Sequence, residues 1–212
     1  MKFLKPFIAV FLLLLISFSL NNKYSKTKKM DIDKKIDVAY FASGCFWCVE
    51  AIYESIIGVE EAVSGYAGGF TKKPTYKTIG TGKTGHAETV AVFYNSKKVS
   101  FKTLVKVFFA SHDPTTKNGQ YPDFGSQYRS IVFYETEEQK RVIKKVLNLL
   151  NKEIYNGKIV TEVKKLDVFY RAEDYHQDFK KSHPNNSYIQ RISIPRLNRF
   201  KAKFPLILKK EK

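Results

Sequence analysis

The sequence predicts an α+β fold, a single two-layer α/β sandwich on a mixed sheet. Three observations predict it. Short apolar runs of strand length interleave with segments of helical period. No strand opens through a dinucleotide-binding glycine fingerprint into a helix, which argues against a doubly wound parallel sheet. The 212 residues suffice for one domain with terminal extensions, and there is no internal repeat.

The chain opens with Lys2 and Lys5, then an apolar run from Phe7 to Leu15 that continues weakly to Leu20. That run is short for a spanning helix and reads as a signal peptide or N-terminal anchor over 1–20, with Ser17 and Ser19 as small residues before a cleavage point. No cysteine follows the run, which argues against a lipid-anchored form, and the reading implies an exported protein. Residues 21–35 are polar and lysine-rich without apolar period, the composition of a flexible basic tether. The compact domain is expected over 36–190.

Val38 to Ala42 reads as the first strand. Val49, Ile52, Tyr53, Ile56 and Ile57 recur at helical spacing until Gly58. Val59 to Tyr66 is a second strand ending in glycine-rich turns, and 72–85 a long loop. Within that loop Gly80-Thr81-Gly82-Lys83-Thr84 resembles the end of a phosphate-binding loop, but its leading glycine is replaced by Lys77 and a strand follows it, so no nucleotide site is assigned. Ala87 to Tyr94 is a buried strand with Glu88 at its entrance. Ser100 caps a helix carrying Leu104, Val105, Val107, Phe108 and Phe109. Tyr128 to Tyr134 returns as a strand, and Thr136 with Gln139 forms a capping box for a helix through Val142, Val146, Leu147 and Leu150. Val160 to Val163 and Leu166 to Phe169 read as short strands around the Asn156-Gly157 turn, and Ala172 to Lys181 as a last short helix. The tail, 191–212, alternates basic and apolar residues and is expected to be solvated or wrapped.

Thirty-seven basic against twenty acidic residues give a net charge of +17. The lysines are spread along the chain and no nucleic-acid module occurs, so the charge reads as a solvated surface, with no nucleic-acid partner.

Both cysteines and the one tryptophan fall in Gly44-Cys45-Phe46-Trp47-Cys48, where the first strand gives way to a helix. Unpaired N–H groups and the helix dipole favour an anion at that position, which predicts a readily ionised Cys45 thiol. Cys48 lies one turn on, roughly 5 Å away between Cα atoms, within disulfide range. A redox pair, a structural disulfide and half of a zinc site compete for these thiols, and no second cysteine pair supports zinc. Phe46 and Trp47 are open between core packing and an apolar pocket wall.

Five motifs in order decide the direction: Gly44-Cys45-Phe46-Trp47, Pro74-Thr75-Tyr76, Gly85-His86-Ala87-Glu88, Asp123-Phe124-Gly125-Ser126-Gln127-Tyr128-Arg129-Ser130 and Ala172-Glu173-Asp174-Tyr175-His176-Gln177. From about Val38 to Asn186 the chain resembles the peptide methionine sulfoxide reductase A family. The resemblance implies a ferredoxin-like core and reduction of protein-bound and free methionine-(S)-sulfoxide. It implies no metal or organic cofactor, a thioredoxin-like dithiol reductant, and a role in protein repair; the protein is expected to be a monomer, touching membrane only through the N-terminal anchor. It further implies that the Cys45 thiolate attacks the sulfoxide sulfur, that Glu88 is the acid, and that Tyr76 and Tyr128 hydrogen-bond the departing oxygen. Phe46 and Trp47 match the wall that receives the methyl group, and Asp123 belongs to the orienting loop. Relatives often carry a resolving cysteine in the tail; this tail has none, so Cys48 is the internal candidate. A general thiol–disulfide oxidoreductase and a non-catalytic binding protein stapled by its cysteines are the competing classes, and the set Tyr76, Glu88 and Tyr128 separates them from the first reading.

Overall fold

The structure, a computed structural model, describes residues 35–210. The expected signal or anchor and all of the tether but Lys35 lie outside the described residues. In chain order the elements are β1 (Ile36–Ser43), α1 (Phe46–Glu54), β2 (Val59–Ala67), α2 (Tyr76–Ile79), β3 (Ala87–Asn95), α3 (Phe101–Ala110), β4 (Gly119–Gln120), β5 (Asp123–Phe124), β6 (Ser130–Tyr134), α4 (Glu137–Glu153), β7 (Glu162–Lys165), β8 (Phe169–Arg171), α5 (Phe179–Ser182) and α6 (Ile194–Lys203).

One six-stranded sheet runs in the order β7-β6-β1-β3-β2-β8, and β4 and β5 form a separate hairpin. Its centre, β6-β1-β3-β2, is antiparallel throughout. With α1 and α3 as the crossovers, this is the split βαβ arrangement of a ferredoxin-like fold. The sheet is mixed because β7 joins β6 in parallel, pairing Ile131 with Glu162.

Alternation decides which side chains meet the helices. Ala39 and Phe41 of β1, Val90 and Val92 of β3, and Val132 of β6 enter the main core with Val49 and Ile52 of α1 and Leu104, Val105 and Phe108 of α3. The opposite parity, Ala42, Ala67, Ala87, Ile131 and Phe133, forms a small second cluster under Tyr40, Leu166 and Phe169. The caps read from the sequence hold: Ser100 Oγ accepts the Thr103 N–H at 3.1 Å, and Thr136 Oγ1 accepts the Gln139 N–H at 3.2 Å. On α4 the buried positions are Ile143 and Val146, with Val142 turned toward the rim.

Three local expectations change. The loop 72–85 contains the single turn α2, closed by a capping box between Thr75 and Thr78 and too short to register as periodicity. Tyr128 ends a 3₁₀ turn, Ser126–Tyr128, and the strand begins at Ser130. The helix expected over Ala172–Lys181 is broken into a 3₁₀ turn, Asp174–His176, and α5. Gln177 lies at the break, where its amide accepts the Ser64 N–H and donates to the Ser64 and Ala172 carbonyls, each at 3.0 Å, extending the edge of β2 like a strand.

The basic tail is folded. A π-helical turn, Ile189–Ser193, runs into α6, where Pro195 starts the helix without a missing donor. Leu197 and Phe200 are buried, and the folded unit continues past 190. Lysines and arginines between apolar residues at helical spacing make an amphipathic helix. Truncating the buried Phe200 to alanine is expected to cost about 3–5 kcal/mol, the usual range for a buried aromatic. Urea unfolding measures it, and a cost below about 1 kcal/mol would mean that the tail is not part of the core.

Candidate active site

β1 ends at Ser43, and the chain turns through Gly44 with φ +89°. A side chain there would be strained, and its Cβ would stand 2.8 Å from the Gln120 Cβ. The turn delivers Cys45 as the N-cap of α1. Glu88 shares the helix-side parity of Val90 and Val92 and pairs with Tyr66 at the same end of the sheet. Its carboxyl therefore meets the start of α1, where Oε2 accepts the Phe46 N–H at 2.9 Å.

Burial pushes Glu88 up to about 8. The Phe46 N–H opposes that rise, while the charges of Asp123 and Cys48 add to it. At neutral pH this carboxyl holds its proton. Tyr76, on α2, is pushed up to about 12, first by burial and then by the charges of Glu88 and Cys45, against its hydrogen bond with Tyr128. Tyr128 is raised too, by burial and then by Glu88 and Tyr76. The acid, the two phenols and Cys45 thus share one small volume, drawn from β3, α2, the turn before β6 and the start of α1.

A family model described as peptide methionine sulfoxide reductase matches residues 37–206. The chain belongs to the peptide methionine sulfoxide reductase family. It is 48% identical over 165 residues to peptide methionine sulfoxide reductase MsrA of Ruthia magnifica subsp. Calyptogena magnifica, covering 78% of this chain and 98% of that one. Its fold is similar to reduced Mxr1 from Saccharomyces cerevisiae, with TM-score 0.68 and 33% identity over 74% of this chain and 90% of that one. It is also similar to Mxr1 in complex with Trx2, with TM-score 0.50 and 27% identity over 73% and 91%.

In this member of the family the aromatic pair left open by the sequence divides. Phe46 is buried, with its ring 6.3 Å from Tyr76 and 4.9 Å from His176. Trp47 is half-buried and stacks on Phe179 at 3.8 Å. Both face the ring of His176, so packing and wall are the same surface. Asp123, at the β4–β5 hairpin, accepts a hydrogen bond from the Tyr188 hydroxyl at 2.5 Å, and that hydroxyl lies 3.9 Å from Cys48 Sγ.

The expected ease of ionising Cys45 does not hold. Burial pushes its thiol well up, and the hydrogen bond to Cys48 and the charges of Cys48 and Glu88 push the same way. The first reason is loss of water around the buried sulfur; the first amide of α1 is given to Glu88. Cys48 moves oppositely, down to about 6, chiefly through its hydrogen bond from Cys45, with burial opposing and Arg196, Ser193 and Tyr188 assisting. The opposite directions of the two shifts favour Cys48 over Cys45 as the ionised member of the pair. Both thiols are free; Cys45 is 6% and Cys48 1% exposed.

Three further side chains hold the site together and were given no role by the sequence. His176 Nδ1 accepts the Trp47 indole N–H at 3.2 Å, fixing the indole. Glu173 accepts the Tyr66 hydroxyl at 2.6 Å and the Tyr76 N–H at 3.0 Å, tying α2 to β2. Both lie in the Ala172–Gln177 motif, which was the available signal. Tyr188 had none: its contacts to Asp123 and Cys48 span 65 and 140 residues.

Glu88 rises from its ordinary 4.5 to about 8 on folding, so the folded state binds the proton more tightly. Its contribution is complete below the ordinary value and is lost as pH climbs toward 8. Glu88→Gln cannot lose a proton. Its thermal midpoint is therefore expected to fall less than that of the parent between pH 5 and 9; parallel curves would contradict the buried, protonated carboxyl.

Proposed function

We propose that the chain reduces methionine-(S)-sulfoxide, free and in proteins, by attack of Cys45 on the sulfoxide sulfur. The family's reaction is reduction of methionine sulfoxide, and the observation that carries the residue assignment is the protonated Glu88 carboxyl across from Cys45, with the Tyr76 and Tyr128 hydroxyls beside it. A sulfoxide oxygen is a weak leaving group until it is protonated, and a neutral acid in a water-poor site supplies that proton as the S–O bond polarises. The two phenols stabilise charge on the oxygen by hydrogen bonds, as oxyanion donors do. Phe46 and Trp47 form the apolar wall for the S-methyl group, and Asp123 steadies the loop before Tyr128.

The Cys45 thiol passes its proton to the Cys48 sulfur as its own sulfur attacks. Oxygen is transferred, methionine leaves, and Cys45 becomes a sulfenic acid. Cys48 then attacks that sulfur, the S–O bond breaks and a disulfide forms. In sum, one sulfoxide and two thiols give one sulfide, one disulfide and one water. A general thiol–disulfide exchanger needs neither the acid nor the phenols. The complex of the yeast relative with Trx2 supports a thioredoxin-like dithiol protein as the reductant. No prosthetic group takes part in this scheme.

The apolar run over 1–20 supports export, with the segment either cleaved or kept as an anchor and 21–35 as a tether. The role that follows is repair of oxidised proteins outside the cytoplasm by a monomeric enzyme.

The direct test supplies each methionine sulfoxide epimer to the dithiothreitol-reduced protein. The S form is expected to be consumed and the R form left; the reverse would sink the proposal. Glu88→Gln, which still donates a hydrogen bond, is expected to keep far more activity than Glu88→Leu, and equal rates would remove the acid role. Because Glu88 loses its proton near 8, the parent's kcat/KM is expected to decline above that pH and the Glu88→Gln profile to lack the decline. Cys48→Ser is expected to release one methionine per enzyme and then recycle slowly with a dithiol protein, a result that full dithiol-coupled turnover would contradict.

A further inference from the structure

The tail that was expected to be a wrapped extension reaches the back of Cys48. Tyr188 and Ser193 are five residues apart, a spacing that diverges around an α-helix. The chain here is π-helical, Ile189–Ser193, and its i→i+5 pitch brings the two hydroxyls to one side. Tyr188 Oη lies 3.9 Å from Cys48 Sγ. The Ser193 hydroxyl is buried and has no hydrogen-bond partner among the described residues. One turn later Arg196 donates from Nε to the Ser111 carbonyl and from Nη2 to the Ser43 carbonyl, both at 2.9 Å. Its Nη1 lies against Gly44, 3.4 Å from where a Cβ would stand. Among the described residues no carboxylate forms a contact ion pair with it; its charge acts on both Asp123 and Cys48.

A buried donor without an acceptor is unfavourable. A negative Cys48 sulfur would supply that acceptor and would be favoured by the Arg196 charge. We infer that Ser193 and Arg196 form a thiolate cradle that keeps Cys48 as the ionised sulfur in both half-reactions and are positioning residues for the resolving step, with the Tyr188 hydroxyl, whose proton is given to Asp123, packed beside them. The inference rests on the role proposed above for Cys48.

In the first half-reaction the Cys48 thiolate attacks the Cys45 sulfenic acid. The proton that Cys48 took from Cys45 first returns to the Glu88 carboxylate left by the oxygen transfer; then the S–S bond forms, the S–O bond breaks, and the hydroxide takes that proton from Glu88 to leave as water. In the second, the thiolate of an external dithiol protein attacks the disulfide. Cys45, the more exposed sulfur, is the one within reach. The electron pair of the broken S–S bond goes to Cys48, and the better-stabilised thiolate is the faster leaving group. The second thiol of the reductant then attacks its own mixed sulfur and frees Cys45. The cradle receives the same anion each time.

The test uses the reduced full chain with Arg196→Met and Ser193→Ala, mixed rapidly with one equivalent of the S-sulfoxide. Methionine formed and thiols lost are followed separately from pH 5 to 10. Absence of methionine in the parent would defeat the proposed function rather than the cradle. With methionine formed, the pH midpoint of thiol loss is expected to rise in each variant by about one unit or more. A thiolate of higher pKa is scarcer but intrinsically more nucleophilic. Closure should therefore be slower than in the parent at pH 6 and no slower at pH 9, with Arg196→Lys near the parent. Unmoved midpoints, whether the rates are unchanged or depressed equally at every pH, would overturn the inference. Ser193→Ala removes one buried oxygen and keeps the test open if Arg196→Met fails to fold.

Discussion

The hydrogen bond from the Phe46 amide to the Glu88 carboxyl is the constraint on which the site depends. It joins the first turn of α1 to the first inward position of β3. The carboxyl is buried, so one bond from a neutral amide does not offset the loss of water, and the proton stays. Burial at this junction thus leaves a neutral acid beside the start of α1 and a Cys45 thiol that is not the resting anion.

The rest of the fold serves that junction from several directions. β2 supplies Tyr66 opposite Glu88, Glu173 ties Tyr66 to the backbone of α2, and α2 carries Tyr76. His176 holds Trp47 by its indole while packing on Phe46 and Tyr76. Behind the pair, the C-terminal segment closes over Cys48 and runs on through Leu197 and Phe200 into the main core. A tail without cysteine thereby contributes to thiol chemistry by shaping the charge around a sulfur that it does not carry.

A carboxylate group, Glu50, Glu54 and Asp178, is close enough to share a cation, but Lys181 already spans Glu54 and Asp178 at 2.8 and 2.6 Å. Ser64 Oγ donates to Glu50 at 2.5 Å, and burial pushes that carboxyl up to about 7. These contacts make the cluster a buckle between α1, β2 and α5.

Much of this was legible one element at a time. The alternation in β3 put Glu88 with Val90 and Val92, the Ser100 and Thr136 caps marked two helix starts, and Cys45 and Cys48 stood one turn apart, because strand parity, capping and helical pitch act over two to four residues. By itself the sequence determined the two-layer fold and its family, and the one-turn spacing of the two thiols. Only the tertiary structure decided that burial pushes the Cys45 thiol up while the Cys48 thiol shifts down, that the tail is helical against α1, and that Tyr188 reaches Cys48. Burial and Coulomb interactions between residues as many as 140 positions apart have no period to read along a chain. They arise when the sheet closes and the water is gone.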